Sequence, residues 1–179
     1  MKKISIIGLL FFSLNLFSQE MASLKVGDKF PGFQLETIDG NLISLESLKG
    51  KVVFINLWFT RCPPCILEMP TLNEVQNIYK DRVEFISITF DQANEVNRFL
   101  AKREFKFQHL INAKDFLFGD LKNTEYPKNI ILDRTGTITF LEGSLPFIKD
   151  PKTGEMVPVS HSFLKPPLEK ALSQKERQK

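Results

Sequence analysis

The sequence predicts an α/β fold in which helices flank a central mixed β-sheet, with a β-hairpin extension on the N-terminal side. Residues 52–59, VVFINLWF, are almost continuously apolar, as expected of a central strand covered on both faces. Helical periodicity follows, and residues 83–89, VEFISIT, are a second candidate for a buried strand. A strand, a helix and a strand in succession favour parallel pairing, whereas hairpins add antiparallel strands.

The N-terminal hairpin is predicted from residues 33–45, FQLETIDGNLISL. Two short extended segments flank Asp39 and Gly40, a dipeptide that favours tight hairpin turns. The next segment, LESLKG, is typical of a helical turn that ends at Gly50.

A helix is predicted directly after the central strand. Pro63 and Pro64 are compatible with its start because the amides of a first helical turn lack intrahelical partners. Its apolar face is expected to contain Leu72, Val75, Ile78 and Tyr79.

The second half of the chain predicts shorter elements. Asp91 is expected to be the N-cap of a helix with Ala93, Val96, Phe99 and Leu100 on its apolar face. A helical piece at 115–121 is followed by strands at 129–133 and 137–142, which suggest an antiparallel hairpin. The proline-rich segment 146–167 predicts a surface loop, and a last helix should turn Leu168 and Leu172 inward.

The N-terminus has the pattern of a secretory signal peptide. Lys2 and Lys3 precede an uncharged run at 4–17, and the first acidic residue comes afterwards. We therefore predict that residues 1–18 form a signal peptide and residues 19–179 one secreted domain. A retained anchor would need about 20 apolar residues, and this run is shorter and polar in places. No cysteine lies near the cleavage point, which excludes a lipoprotein-type anchor.

Composition excludes two classes of partner. The formal net charge is only +3, and the chain has no basic block beyond the mixed tail SQKERQK, so neither nucleic acid nor anionic lipid is expected as a partner. Hydrophobic residues make up 42% of the chain, so it can bury a core without disulfide bonds to hold it together.

Cys62 and Cys65 are the only cysteines, and they fall at the predicted helix start. Two thiols separated by two residues can close a small disulfide, and the helix dipole favours the thiolate of the first. Cys62 is therefore expected to be the more exposed, attacking thiol, and Cys65 the resolving thiol. Arg61 adds positive charge beside Cys62.

The segment LWFTRCPPCILEMP resembles the active-site segment of the thioredoxin-like superfamily, specifically its secreted TlpA/ResA-like thiol-disulfide oxidoreductases. DGNLISLESLKGKVVFINLWF and YPKNIILDRTG are similar to further family segments, so the resemblance covers roughly residues 26–142. It implies a thioredoxin-like fold and no bound cofactor. It also implies a cis bond between Tyr126 and Pro127, which shapes a substrate groove beside the dithiol.

The resemblance also implies roles for residues around the cysteines. Glu68 matches a glutamate that assists proton movement in this subfamily, although favourable helix-start electrostatics would equally explain an acidic residue there. Arg61 stands where thioredoxin-type sequences often have Trp, and Asn56 where they have a buried Asp, so any carboxylate that serves Cys65 is Glu68. Arg61, Tyr126 and Pro127 are assigned to substrate binding together with Trp58, whose first role is packing behind the motif.

The family implies a periplasmic reductase that acts on protein disulfides. Apocytochrome c is the best-known class of client, and a membrane thiol-electron transporter is the expected electron donor. A non-catalytic binding module with a structural Cys62–Cys65 disulfide is the main alternative, although so short a loop gains little entropic stabilisation from a bridge.

Other chemistries fit the sequence poorly. A zinc site would have to combine both cysteines with His109 and His161, which are distant in sequence and lack ligand spacing, so no metal site is assigned. Covalent haem attachment requires His directly after Cys65, where the chain has Ile66. His109 is expected at a surface or a strand end, and His161 in the proline-rich loop.

Overall fold

The computed structural model describes residues 24–174. The predicted signal peptide at 1–18 lies outside these residues. Within them, nine strands and three α-helices are present, and no helix combines the length and apolar character needed to cross a bilayer. The strands are β1 (Gln34–Thr37), β2 (Leu42–Ser44), β3 (Val52–Leu57), β4 (Val83–Ile88), β5 (Gln108–Ile111), β6 (Lys128–Leu132), β7 (Ile138–Glu142), β8 (Phe147–Lys149) and β9 (Met156–Pro158). The helices are α1 (Pro63–Tyr79), α2 (Ala93–Leu100) and α3 (Lys165–Ser173).

Seven strands form one mixed sheet in the order β2-β1-β5-β4-β3-β6-β7. Strands β3, β4 and β5 are parallel, and all other neighbours are antiparallel. Every residue of β3 is buried, which is why its sequence shows no alternation of apolar and polar residues. The predicted central mixed sheet and N-terminal hairpin are confirmed. Gly40 has φ of +81° in the hairpin turn, a conformation that L side chains rarely adopt.

Two hydrophobic layers cover the sheet, one on each face. Phe54 of β3 points to the layer that holds α1 and α3, whereas Val53 and Ile55 point to the other layer. This alternation follows from the two-residue period of a strand. By the same period, Asn56 lies on the α1 face of the sheet.

The predicted long elements are present, with corrections to some residues. Helix α1 continues through Pro70, and Leu72, Val75 and Tyr79 are buried in it, whereas Ile78 is 53% exposed. The N-cap of α2 is Gln92 and not Asp91. The Gln92 side chain and that of Glu95 form reciprocal bonds with the backbone, which is a capping box.

Three further parts of the chain differ from the sequence-based expectations. Strand β5 was not predicted, and it buries His109 in the centre of the molecule. The predicted helical piece at 115–121 is a five-residue π-helical segment, Phe116–Asp120. The predicted loop at 146–167 contains the hairpin of β8 and β9 and a 3₁₀ turn, and it packs against α1.

Candidate active site

The two cysteines form a disulfide at the N-terminus of α1. Their Cα atoms are 5.3 Å apart, and Cys62 is the N-cap residue of the helix. Strand β3 ends at Leu57, and the short segment that follows turns back so that the Cys62 N–H donates to the Phe59 carbonyl at 3.1 Å. The dithiol therefore lies at the carboxyl end of a central parallel strand, where α/β sheets commonly bind ligands.

The proline pair decides which backbone donors can reach the sulfur of Cys62. Pro63 and Pro64 have no N–H, so the first amide of the helix that can donate belongs to Cys65. That N–H donates to Cys62 Sγ at 3.3 Å, and it is the one donor to this sulfur among residues 24–174. A helix N-terminus with one directed N–H stabilises a thiolate on Cys62 when the disulfide is reduced.

Both sulfur-bearing residues are enclosed. Cys62 is 2% exposed and Cys65 is 1% exposed, so Cys62, which was expected to be the more exposed, differs little from Cys65 in the oxidised form. The residues around them are more open: Arg61 and Pro63 are exposed and Pro64 is half-buried. A partner would therefore meet the rim of the disulfide loop first.

Glu68 lies in the second turn of α1 and is fully buried. Its carboxylate accepts hydrogen bonds from Asn56 Nδ2 at 3.0 Å, from Asn129 Nδ2 at 3.2 Å and from the Leu145 N–H at 3.0 Å. Electrostatics at the first turn do not explain this residue, because it lies beyond that turn and faces the interior. We call Asn56, Glu68, Asn129 and the Leu145 N–H the Glu68 cluster.

Burial changes the acidity of Glu68. Loss of hydration raises the pKa of its carboxyl from 4.5 to about 7, and the hydrogen bonds from Leu145, Asn129 and Asn56 oppose that rise because they favour the charged form. A carboxyl with a pKa near neutral pH can both accept and return a proton under physiological conditions.

Sequence reasoning did not identify Asn129 or the structural role of Asp91. Asn129 is a polar residue within the apolar run of β6, and such a residue needs a buried partner, which was the available signal. Asp91 follows β4, and its Oδ2 accepts the Thr60 N–H at 2.6 Å. This bond ties the segment before Cys62 to the end of β4.

The predicted substrate-binding residues are in two different environments. The Tyr126–Pro127 bond is cis, and Tyr126 is half-buried with its ring 5.4 Å from that of Phe59. Phe90 contacts both of these rings, at 5.4 Å from Phe59 and 5.9 Å from Tyr126. These three aromatic rings form an apolar surface close to the disulfide loop.

Trp58 is fully buried and has no surface available to a partner. Its ring packs against Phe99 at 5.2 Å, Phe105 at 5.4 Å and His109 at 5.9 Å. The structure thus places Trp58 in the core behind the disulfide loop, and we do not carry its assignment to substrate binding further.

The two histidines are apart from the cysteines. His109 is buried, its Nδ1 is 2.7 Å from Ser87 Oγ, and its Nε2 is 3.0 Å from the Phe105 carbonyl, so Nε2 carries the proton and Ser87 donates to Nδ1. Burial lowers the pKa of His109 to about 4. His161 pairs with Glu74 at 3.4 Å. Residues 24–174 contain no group of three or more His, Cys, Asp or Glu side chains arranged to hold a metal ion.

A redox-active cysteine pair at the start of a helix, on a central mixed sheet flanked by helices, defines a thiol-disulfide oxidoreductase with a thioredoxin-like fold. Comparison with known proteins agrees with this class. The model of the redoxin family matches residues 25–146, about two thirds of the chain.

Two relatives and one solved structure illustrate the similarity. The thioredoxin-like protein YneN of Bacillus subtilis (strain 168) is 32% identical over 126 residues, which cover 68% of this chain and 74% of YneN. The thiol-disulfide oxidoreductase ResA of Bacillus anthracis is 32% identical over 124 residues, covering 68% of this chain and 72% of ResA. A crystal structure of a putative thiol:disulfide interchange protein DsbE from Chlorobium tepidum superimposes with a TM-score of 0.68 at 24% identity, covering 84% of this chain and all of that one. The chain therefore belongs to the redoxin family, as a ResA-like thiol-disulfide oxidoreductase.

Proposed function

We propose that the protein is a periplasmic disulfide reductase in which Cys62 is the nucleophile, Cys65 the resolving thiol and Glu68 the proton acceptor. The observation that carries the proposal is the single N–H, from Cys65, directed at Cys62 Sγ beside a buried carboxylate one turn along the same helix. Residues 1–18 would direct export, and 19–179 would form the mature domain.

The reaction consumes one client disulfide and produces one disulfide in the protein. The Cys62 thiolate attacks a client sulfur, the client S–S bond breaks, and the second client sulfur leaves as a thiolate that takes up a proton. Cys65 then passes its proton to Glu68 and attacks Cys62 Sγ, and the mixed disulfide breaks to release the other client thiolate. The client gains two electrons, and the Cys62–Cys65 disulfide forms. A dithiol donor must reduce it before the next cycle.

The backbone around Cys62 supports the reducing direction. A strongly oxidising dithiol has a reduced form that is stabilised, chiefly through its attacking thiolate. Here Pro63 and Pro64 remove two N–H groups from the helix start, and a single amide donates to the sulfur. The reduced form therefore gains less stabilisation, which favours donation of electrons to clients.

We assign client binding to the surface beside the disulfide loop. Arg61 is exposed next to Cys62, and half-buried Tyr126 lies at the aromatic surface next to the loop, with the buried cis Pro127 directly after it. Protein disulfides are the client class that the family supports. Apocytochrome c and a membrane thiol-electron transporter are proposed as the particular client and donor.

Two cysteine variants test the assignment of roles in an insulin-reduction assay driven by a small dithiol. Cys62→Ser is expected to abolish turnover while the far-ultraviolet circular dichroism stays unchanged. Cys65→Ser is expected to retain attack on the client but to accumulate a mixed disulfide, visible as a gel shift that a reductant reverses. Undiminished turnover by Cys62→Ser would refute the assigned roles, and a wild type without turnover would favour the alternative, a binding module whose disulfide is structural.

A further inference from the structure

A cross-strand pair of asparagines lies under the catalytic helix. Asn56 on β3 and Asn129 on β6 are direct partners in the antiparallel register of these strands. Both lie on the α1 face of the sheet, because Asn56 shares the parity of Phe54, and Asn129 that of Ile131, on that face. Each is at most 1% exposed. Two buried amides side by side require hydrogen-bond partners, and Glu68 is the partner that they share.

The orientation of the Asn129 amide is fixed by its other neighbours. Its Nδ2 donates to the Gly143 carbonyl at 2.9 Å, and its Oδ1 accepts from Asn56 Nδ2 at 2.9 Å. A flipped amide would set Oδ1 against the Gly143 carbonyl and Nδ2 against the Asn56 amino group, so both bonds would be lost. The amino group therefore faces Glu68, where it lies 3.2 Å from each carboxylate oxygen.

This arrangement suits a carboxylate better than a carboxylic acid. Asn56, Asn129 and the Leu145 N–H all donate to Glu68. Hydrogen bonds that are donated to a carboxylate favour its charged form over the protonated form, whereas burial disfavours the charge.

We propose that Asn129 is a positioning residue that favours the ionised form of Glu68 and holds its carboxylate in one orientation, so that Glu68 can take the proton from the Cys65 thiol. The proposal rests on the proposed function of Glu68. The step it supports is a single proton transfer: the S–H bond of Cys65 breaks, an O–H bond forms on Glu68, and the resulting thiolate attacks Cys62 Sγ of the mixed disulfide. Asn129 also lies two residues after Pro127, so the strand that follows the substrate-binding residues also holds the proton acceptor.

No charged side chain contributes to the pKa of Glu68 in place of Asn129. Burial raises the pKa of Glu68, and the three hydrogen-bond partners in the cluster oppose that rise. Strand β3 has no titratable residue. Besides Glu68, helix α1 and its N-cap carry four titratable residues, which are Cys62, Cys65, Glu74 and Tyr79. Strand β6 carries Lys128, and β7 carries Glu142.

The test follows the Cys65 step directly. Reduced protein is mixed with the aromatic disulfide DTNB, which releases one thionitrobenzoate when Cys62 attacks it. The second thionitrobenzoate is released when Cys65 attacks the mixed disulfide, so the slower absorbance change reports on the Cys65 step. Its rate is measured as a function of pH for the wild type, Asn129→Leu, Asn129→Val and Glu68→Gln.

The rate of the second release should increase with pH, and we call this increase the rising limb. We expect both Asn129 variants to move the rising limb to higher pH by about one pH unit, since each loses a hydrogen bond to a charged group. Below the wild-type midpoint the second release should then be about tenfold slower, with the first release unchanged. Valine suits a strand and has no side-chain hydrogen-bond donor, so it provides a second variant if leucine impairs folding.

Ser87→Ala is the matched control. Ser87 is the Cα partner of Asn56 on its other side, is fully buried, and bonds to His109 instead of Glu68. It should lower stability without moving the limb. Asn129 variants that lose stability as Ser87→Ala does but keep the wild-type limb would overturn the proposal. If Glu68→Gln leaves the second release unchanged, the proposed role of Glu68 is wrong, and that of Asn129 with it. If Glu68→Gln slows the release but the Asn129 variants do not shift it, only the inference about Asn129 fails.

Discussion

Replacement of Glu68 by glutamine is expected to change how the free energy of unfolding depends on pH. A buried carboxyl lowers that free energy as pH rises, and the replacement should remove this loss. The folded protein holds this carboxyl at a pKa of about 7, and burial is the largest cause, whereas the reference value is 4.5. Between these values the folded state binds a proton that the unfolded state does not. The contribution of Glu68 to the stability of the wild type therefore falls by about 3 kcal/mol as pH rises from 4.5 to 7.

Glutamine cannot titrate, so Glu68→Gln lacks this loss. Its stability relative to the wild type is expected to rise by about 3 kcal/mol between about pH 4 and about pH 8. Any constant cost of fitting glutamine into the Glu68 cluster cancels in that comparison. Urea unfolding of the oxidised proteins measures the difference in stability between the variant and the wild type. In the oxidised form Cys62 and Cys65 do not titrate.

The control for this experiment is Glu36→Gln, which makes the same chemical change at an exposed position on β1. Substitution there should alter stability little at any pH. The reasoning is refuted if the difference between Glu68→Gln and the wild type varies by less than about 0.5 kcal/mol over the same pH range.

The remaining predictions concern two residues behind the disulfide loop. Burial lowers the pKa of His109 to about 4, so the contribution of this imidazole to stability should fall by about 3 kcal/mol as pH falls from 6.5 to 4. The stability of His109→Leu relative to the wild type should therefore rise by about the same amount over that range in urea unfolding. A variant with the acid sensitivity of the wild type would contradict this. Asp91→Ala removes the acceptor of the Thr60 N–H and should cost about 1–3 kcal/mol, whereas Asp91→Asn keeps a side-chain oxygen and should cost less. If Asp91→Ala and Asp91→Asn lose the same stability in chemical unfolding, the hydrogen bond to the Thr60 N–H is not the cause of the loss.

The sequence predicted the elements whose signal is long and consistent. Strand β3 has six consecutive buried residues, and α1 spans 17 residues that begin with two prolines, so neither depended on distant contacts. Strand β5 has four residues, and β8 and β9 have three each, too few for periodicity to show. The burial of His109 follows from β5, and its misplacement at a surface or strand end follows from missing that strand.

The site was predicted in part for a similar reason. Cys62, Cys65 and Glu68 are close in sequence, so motif spacing and resemblance were enough to single them out. The partners of Glu68 come from β3, β6 and the segment after β7, and only the register of the sheet brings Asn56 opposite Asn129. The polar character of Asn129 was visible in the sequence, but its contact with Glu68 depends on strands that are far apart in the chain.

The reduction potential of the Cys62–Cys65 pair is the most direct test of the central claim that the protein is a disulfide reductase. Protein that comprises residues 19–179 is equilibrated in thiol-disulfide redox buffers, and its redox state is followed by the fluorescence of its one tryptophan, Trp58, and by thiol trapping. We predict a reversible midpoint near or below about −200 mV, agreed by both probes. A midpoint near about −120 mV would indicate an oxidant, and a disulfide that resists reduction until the protein unfolds would show that the cysteines are structural.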